Sequence, residues 1–267
     1  YVQFRNLGSF RNKDMQIDNV ALLSDEPVKI PTPYAAADLS GLRWEQSVDV
    51  LYLNHDDYAR RRLERYGHST WSLVEMDYED GPYLKENQTD TTLTVSSATG
   101  QGITVTASSV IGINGDEGFK STDVGRMVRI KMGSNAWGWA LITGFTSSTS
   151  VDADVRLTFT AATGSTAWRL GLYSDTDGHP HAGAFHEQRS AIGGAGAQPD
   201  RVDMSASDDY PNFAPEADDD DAIPLVLASG GANPVYWLVS AKVLLVGTAE
   251  NMADERPVVI RSNGAFG

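Results

Sequence analysis

The chain has 267 residues, 41% of them apolar, which is enough for one large β domain or two ordinary ones and excludes disorder as its overall state. Its 36 acidic against 21 basic residues give a formal charge of −15, which excludes a surface that grips nucleic acid by neutralising phosphates but permits a wall past which DNA slides. The absence of cysteine excludes disulfides and thiolate–metal chemistry, and no apolar run approaches the roughly 20 residues of a membrane-spanning helix.

The opening Y-V-Q-F-R-N lacks the layout of a signal peptide, so the chain reads as soluble. It starts at Tyr1 and stops at S-N-G-A-F-G without a closing element, which suggests a piece of a longer polypeptide. The first helix signal is A-A-A-D-L-S-G-L, one short turn before Gly41, and no long segment keeps a 3.6-residue apolar period. Strands dominate: D-V-L-Y-L, T-L-T-V, I-T-V-T, R-M-V-R-I and W-G-W-A-L-I are β-branched or aromatic and bounded by Gly, Asn, Asp and Ser. Turn signals every ten residues or so predict an all-β fold.

A weak internal repeat adds order to these strands. Leu42 to His55, His181 to Ala195 and Pro234 to Ala249 each read as a strand ending in a polar pair, then a second strand, a turn and a third strand. Such a unit suits a β-propeller blade, whose inner strands crowd an axis and favour small side chains. From Asn87 to Trp168 the composition shifts to Thr, Ser and Gly, with a hairpin-like pair around Gly100 and Gly102, then more alternating strands carrying Trp137, Trp139, Phe145 and Trp168. The expected architecture is a partial β-propeller in 1–86 and 169–267, interrupted by a small β-barrel or β-sandwich domain over 87–168.

Several stretches invite a chemical reading. The run Gly193-Gly194-Ala195-Gly196 lacks the Lys-Ser/Thr of a phosphate loop and no helix pattern follows it, so it reads as small residues where strands pack, closed by a turn at Gln198-Pro199-Asp200. His179, His181 and His186 with Glu187 raise the question of a metal site. No H-E-x-x-H helix is present, and strand alternation puts His181 and His186 on opposite faces, so hydrogen-bonded or surface histidines are expected. S-D-T-D-G-H, Ser174 to His179, opens like a calcium loop but lacks its later ligands, and a β-turn accounts for it. Asp218-Asp219-Asp220-Asp221 reads as a solvated loop or as part of a repulsive wall around DNA. Arg60-Arg61-Arg62 with Arg65 is the basic cluster, and a salt-bridged subunit contact is expected of it. No G-x-S-x-G elbow or paired acid and base stands out, so neither catalysis nor a cofactor is expected.

Taken together, Q-S-V-D-V-L-Y-L-N-H-D-D-Y, R-R-L-E-R-Y-G-H-S-T-W, D-V-G-R-M-V-R-I, W-G-W-A, F-H-E-Q-R-S-A-I-G-G and D-Y-P-N-F-A-P resemble the tail nozzle (tail tubular, or tail stabilisation) proteins of short-tailed bacteriophages. The resemblance runs from Ile30 to Gly247, and its most specific segments are Gln46–His55, Phe185–Gly194 and Asp209–Pro215. It implies a virion protein of the distal tail that self-associates into a ring, usually a hexamer, built on a propeller with inserted domains. The implied partners are other tail proteins such as adaptor and fibres, and double-stranded DNA in transit without specific binding. The motif residues it marks as structural are Phe185, His186, Glu187, Gln188, Arg189, Gly193, Gly194, Tyr210, Asn212 and Phe213. Ser190 and Ala191 depart from the family, which carries aliphatic residues there. Two alternatives stay open. One is a carbohydrate- or receptor-binding β module of a phage tail or cell-surface protein, with sugars stacked on Trp137 or Trp139, which W-G-W places on one face. The other is a propeller glycosidase with two carboxylates in a cleft.

Overall fold

The computed structural model describes residues 28–133, 136–214, 218, 220–227, 234–248 and 258–260. Residues Pro31–Gly267 cluster as one unit and Tyr1–Ile30 as another, and the architecture below is that of the former. The fold is all-β, and a curled half-barrel sheet is part of it. Helical structure among the described residues is limited to two three-residue 3-10 turns, Asp38–Ser40 and Ser121–Asp123, the first ending at Gly41 as the sequence predicts.

The first sheet is an antiparallel meander of β1 (Arg43–Ser47), β2 (Val50–His55), β3 (Tyr58–Arg65) and β4 (Trp71–Glu75). Of these, β2 is the D-V-L-Y-L run, and β1 and β3 are the strands that the repeat unit places on either side of it. The fourth, W-S-L-V-E, pairs Leu73 with Leu63 and Val74 with Arg62, and lies beyond the three-strand unit expected from the repeat.

The stretch between Leu93 and Leu170 forms a six-stranded sheet of its own. Its strands are β5 (Leu93–Val95), β6 (Ile103–Ala107), β7 (Met127–Met132), β8 (Ala136–Ser147), β9 (Ser150–Leu157) and β10 (Trp168–Leu170), ordered β10-β7-β8-β9-β6-β5. Period-2 alternation sends Val95, Val105, Val128, Ile130, Ile142 and Val151 to one face, where Phe119 and Phe159 complete a core whose members are at most 5% exposed. The expected hairpin around Gly100 and Gly102 is the β5–β6 pair.

A second meander follows: β11 (Ala182–His186), β12 (Arg189–Ala195), β13 (Gln198–Met204) and β14 (Ile223–Val226). A third sheet of this kind has β15 (Val235–Ser240), β16 (Leu244–Thr248) and β17 (Val258–Ile260). The opening strands of the meanders lie against one another, β1 on β11 and β11 on β15. Alternation along β11 explains how it serves two neighbours. Ala182 and Ala184 join the core shared with Val235, Leu238, Leu244 and Val246, while Phe185 turns the other way to meet Tyr52 of β2.

The expected turn at Gln198-Pro199-Asp200 is displaced. Those residues belong to β13, and the chain reverses at Gly196 and Ala197. Gln198 faces Ala195 but Val202 faces Gly193, so the ladder is irregular beside Pro199, which lacks an N–H to donate there. The close-packing reading of the glycines holds. A Cβ on Gly193 would stand 2.7 Å from the Arg201 carbonyl oxygen, and Gly194, at φ 83°, would drive one into the Val235 carbonyl.

One tight turn works against its own residue. Val48, between β1 and β2, is 86% exposed and held at φ 52°, where a β-branched side chain crowds the backbone and no burial offsets the cost. Val48→Asn is expected to raise the unfolding free energy by about 1 kcal/mol, because Asn tolerates this region. Urea denaturation of the two proteins checks it, and a loss of stability would contradict the strain.

Candidate functional site

The stretch F-H-E-Q-R is the hairpin between β11 and β12. The β11 strand ends at His186, one residue after Phe185, and Glu187 and Gln188 form the two-residue reversal with φ of 47° and 62°. Both values lie where Asn and Gly are usual, so the surroundings must hold the turn. They do so through named contacts. His186, 6% exposed, meets Ser240 Oγ with Nδ1 at 2.9 Å, and the Gln188 carbonyl accepts the Asp208 N–H at 2.8 Å. Arg189 Nη1 donates to the carbonyls of Ser205 and Asp221, each at 2.6 Å.

The second motif, D-Y-P-N-F, fastens the same sheet to the segment between β4 and the six-stranded sheet. Tyr210 packs on Phe185 with ring centroids 4.7 Å apart, and Asn212 pairs with Asp80 as a parallel bridge. The Phe213 N–H donates to the Asp80 carbonyl at 2.7 Å, while its ring, 2% exposed, packs with Tyr78, Leu172, Tyr173 and Ile192. Pro215 lies outside the described residues.

Buried ion pairs lie under both motifs. Arg60, expected at a subunit contact, is instead 1% exposed inside the chain. Its Nη2 donates to Glu45 Oε1 at 2.5 Å and to Ser190 Oγ at 3.0 Å, and Asn54 Nδ2 donates to the other Glu45 oxygen at 2.6 Å. The hydroxyl of Ser190 has a physical role here: an aliphatic side chain would remove a partner from a buried guanidinium. Gly183 has no side chain because the Glu45 carboxylate occupies the space a Cβ would need. Arg61 and Arg62 pair with Glu75 and Glu64, also within the chain.

The calcium-like S-D-T-D-G-H is a turn whose carboxylates are already engaged. Ser174 Oγ accepts the N–H groups of Thr176 and Asp177, Asp175 meets His179, and Asp177 pairs with the fully buried Arg126. Arg126 also donates to Gly171 O, Asn114 Oδ1 and Asp123 Oδ1, so a guanidinium supplies the positive charge beside Asp177. The three histidines have separate partners, His181 meeting Asp56, and among the described residues no three His, Asp or Glu side chains group as metal ligands.

Trp137 and Trp139 stand opposite Lys131 and Arg129 and do share a face. Trp139 is 7% exposed and packs with Tyr83 and Met127, which leaves it no ring face for a sugar. Trp137 is half-buried with Arg129, Lys131 and Arg169 5.3–5.8 Å from its ring centre, so cations already hold its π surface. In the acidic run Asp218 and Asp220 are exposed, Asp221 is half-buried and accepts the Asp218 N–H, and Asp219 lies outside the described residues. No protein-family model and no curated protein matches this chain.

A third pair joins β13 to itself: Arg201 Nε and Nη2 donate to Asp203 Oδ1 at 2.9 and 2.5 Å. Burial pushes the Asp203 carboxyl up to about 6 against the pull of Arg201, and burial likewise raises Glu45 against Arg60. Because the folded-state value lies above the unfolded one, the folded protein takes up this proton first as pH falls. Asp203 therefore adds stability on acidification between about pH 6 and pH 4. Wild type is expected to gain up to about 3 kcal/mol relative to Asp203→Asn between pH 7 and pH 4, read from urea unfolding at each pH. A difference that stays flat would sink the assignment. Arg60→Met, which strands the Glu45 carboxylate, is expected to cost about 3–5 kcal/mol, part of it recovered by adding Glu45→Gln. Thermal and chemical unfolding of the single and double variants measure this.

Proposed function

We propose that this chain is a structural component of a short bacteriophage tail, part of a ring-shaped nozzle at the distal end through which the genome passes into the host. In this reading the three meanders are blades of a partial β-propeller, and the six-stranded sheet is a small barrel-like or sandwich-like domain inserted between the first two. The observation that carries it is the packing of opening strand on opening strand, β1 on β11 and β11 on β15, in successive antiparallel meanders. In a propeller the opening strands stand nearest the axis, where Gly183, Ala182 and Ala184 suit the crowding.

The end sheets support the same reading. Within the β11 sheet the strands β11 and β12 are largely buried on both faces, whereas Trp44 in the first sheet is 64% exposed, and Trp237 and Val239 in the last are 36% and 47% exposed. Blades on either side would cover these surfaces. The charged and motif side chains are engaged in joining sheets, which favours a load-carrying part over a catalyst. A net charge of −15 suits a conduit to which phosphates must not adhere.

Native mass spectrometry and negative-stain images of the protein are expected to show closed rings, six-fold by the family resemblance, that fail to retard duplex DNA at physiological salt. A protein that stays monomeric at every concentration, or one that binds DNA tightly, would overturn the proposal.

A further inference from the structure

Behind the motifs, buried polar atoms without a protein partner converge on one place. Arg60 leaves Nε and Nη1 unpaired, Asp203 leaves Oδ2, and the hydroxyls of Tyr78 and Tyr173 have no hydrogen bond. The two tyrosine rings lie 6.0 Å apart, and each phenol senses the charges of both Arg60 and Asp203, so the first sheet, the β11 sheet and the two tyrosine segments meet here. Burial pushes the Tyr78 phenol up to about 12, while Arg60 pulls the other way by its charge and by a side-chain hydrogen-bonding approach that falls short of normal geometry and leaves the hydroxyl unsatisfied.

Leaving such groups unmet in a low dielectric costs about 1–3 kcal/mol each, and native interiors meet nearly all of them. We infer that this junction is an internal hydration site. A small cluster of ordered water molecules accepts from Arg60 Nε and Nη1 and from the tyrosine hydroxyls, and donates to Asp203 Oδ2.

Three features select water over another guest. The fixed charges cancel, Arg60 and Arg201 against Glu45 and Asp203, so an ion of either sign would add an uncompensated charge to a buried place. Donors and acceptors occur together, the pattern that water satisfies with its own two donors and two acceptors. A cavity of about 320 Å³, lined by Arg60, Tyr78, Tyr173, Met76, Met127 and His179, adjoins the junction and gives water a route in. Hydrated in this way, the joint couples the sheets through directional bonds where apolar packing alone would let them slide.

The sign of a conservative substitution tests the inference. Tyr173→Phe keeps the ring and removes only the hydroxyl. If that hydroxyl is bonded to internal water, the midpoint of thermal unfolding falls by roughly 2–4 °C; if it is dry and unpaired, removing it leaves the midpoint unchanged or raises it, which overturns the inference. Tyr78→Phe is expected to shift the midpoint in the same direction. A crystal structure of the wild-type chain should show water within hydrogen-bond distance of Tyr173 Oη and Asp203 Oδ2. An anion or organic solute in that density, or protein atoms closing on one another with no water, also overturns it.

Discussion

The buried pair of Glu45 and Arg60 is the constraint around which the rest is arranged. Both charges are removed from water, so each must find its partners within the chain, and the neighbouring sequence is shaped by that need. Gly183 makes room for the carboxylate, Ser190 and Asn54 supply hydrogen bonds, and Tyr52 offers its ring to the guanidinium at 4.9 Å. Asn54 and Tyr52 belong to the first sheet, as the pair itself does, while Gly183 and Ser190 belong to the β11 sheet. The pair therefore dictates how two meanders face each other, a specification that a purely apolar contact would leave looser.

Similar chemistry recurs at the other joints. Arg126 gathers Asp123, Asn114, Gly171 and Asp177, tying the entry to β7 of the six-stranded sheet to the turn that precedes β11. Arg201 spans from Asp203 to the Tyr83 carbonyl, and Arg189 holds Ser205 and Asp221. In a chain with so few basic residues, these three arginines and Arg60 are set at the seams between elements. Planar guanidinium groups with five donors suit this work, since one side chain can meet several carbonyls and carboxylates at once.

The motif hairpin shows how function-like residues become structural ones. His186 and Glu187 beside a glycine run suggest an active-site loop when met in sequence. In the fold His186 bonds Ser240, Glu187 sits at a reversal with positive φ, and Gly193 and Gly194 let carbonyls of β13 and β15 approach. A two-residue turn of Glu and Gln is intrinsically costly and persists because Arg189, Ser190 and Asp208 bind on every side. Tyr210 and Phe213 then clamp this hairpin to the segment between β4 and the six-stranded sheet.

The amino-acid sequence by itself determined the all-β class, most strand positions and the separate character of the Leu93–Leu170 stretch. Alternation, β-branching and turn residues are local signals that survive without a partner. It also carried the close approach at Gly193 and Gly194, which small residues announce. Only the tertiary structure decided the fate of the charged residues. Arg60 is flanked by Arg61 and Arg62 and looks alike in sequence, yet it alone is buried, because its partners lie 15 and 130 residues away. The same distance hid Arg126 beneath Asp177 and moved the β12–β13 turn to Gly196 and Ala197. Short-range patterns report which face a strand buries, whereas ion pairing and register depend on which strand arrives opposite, and that is settled only when the sheets meet.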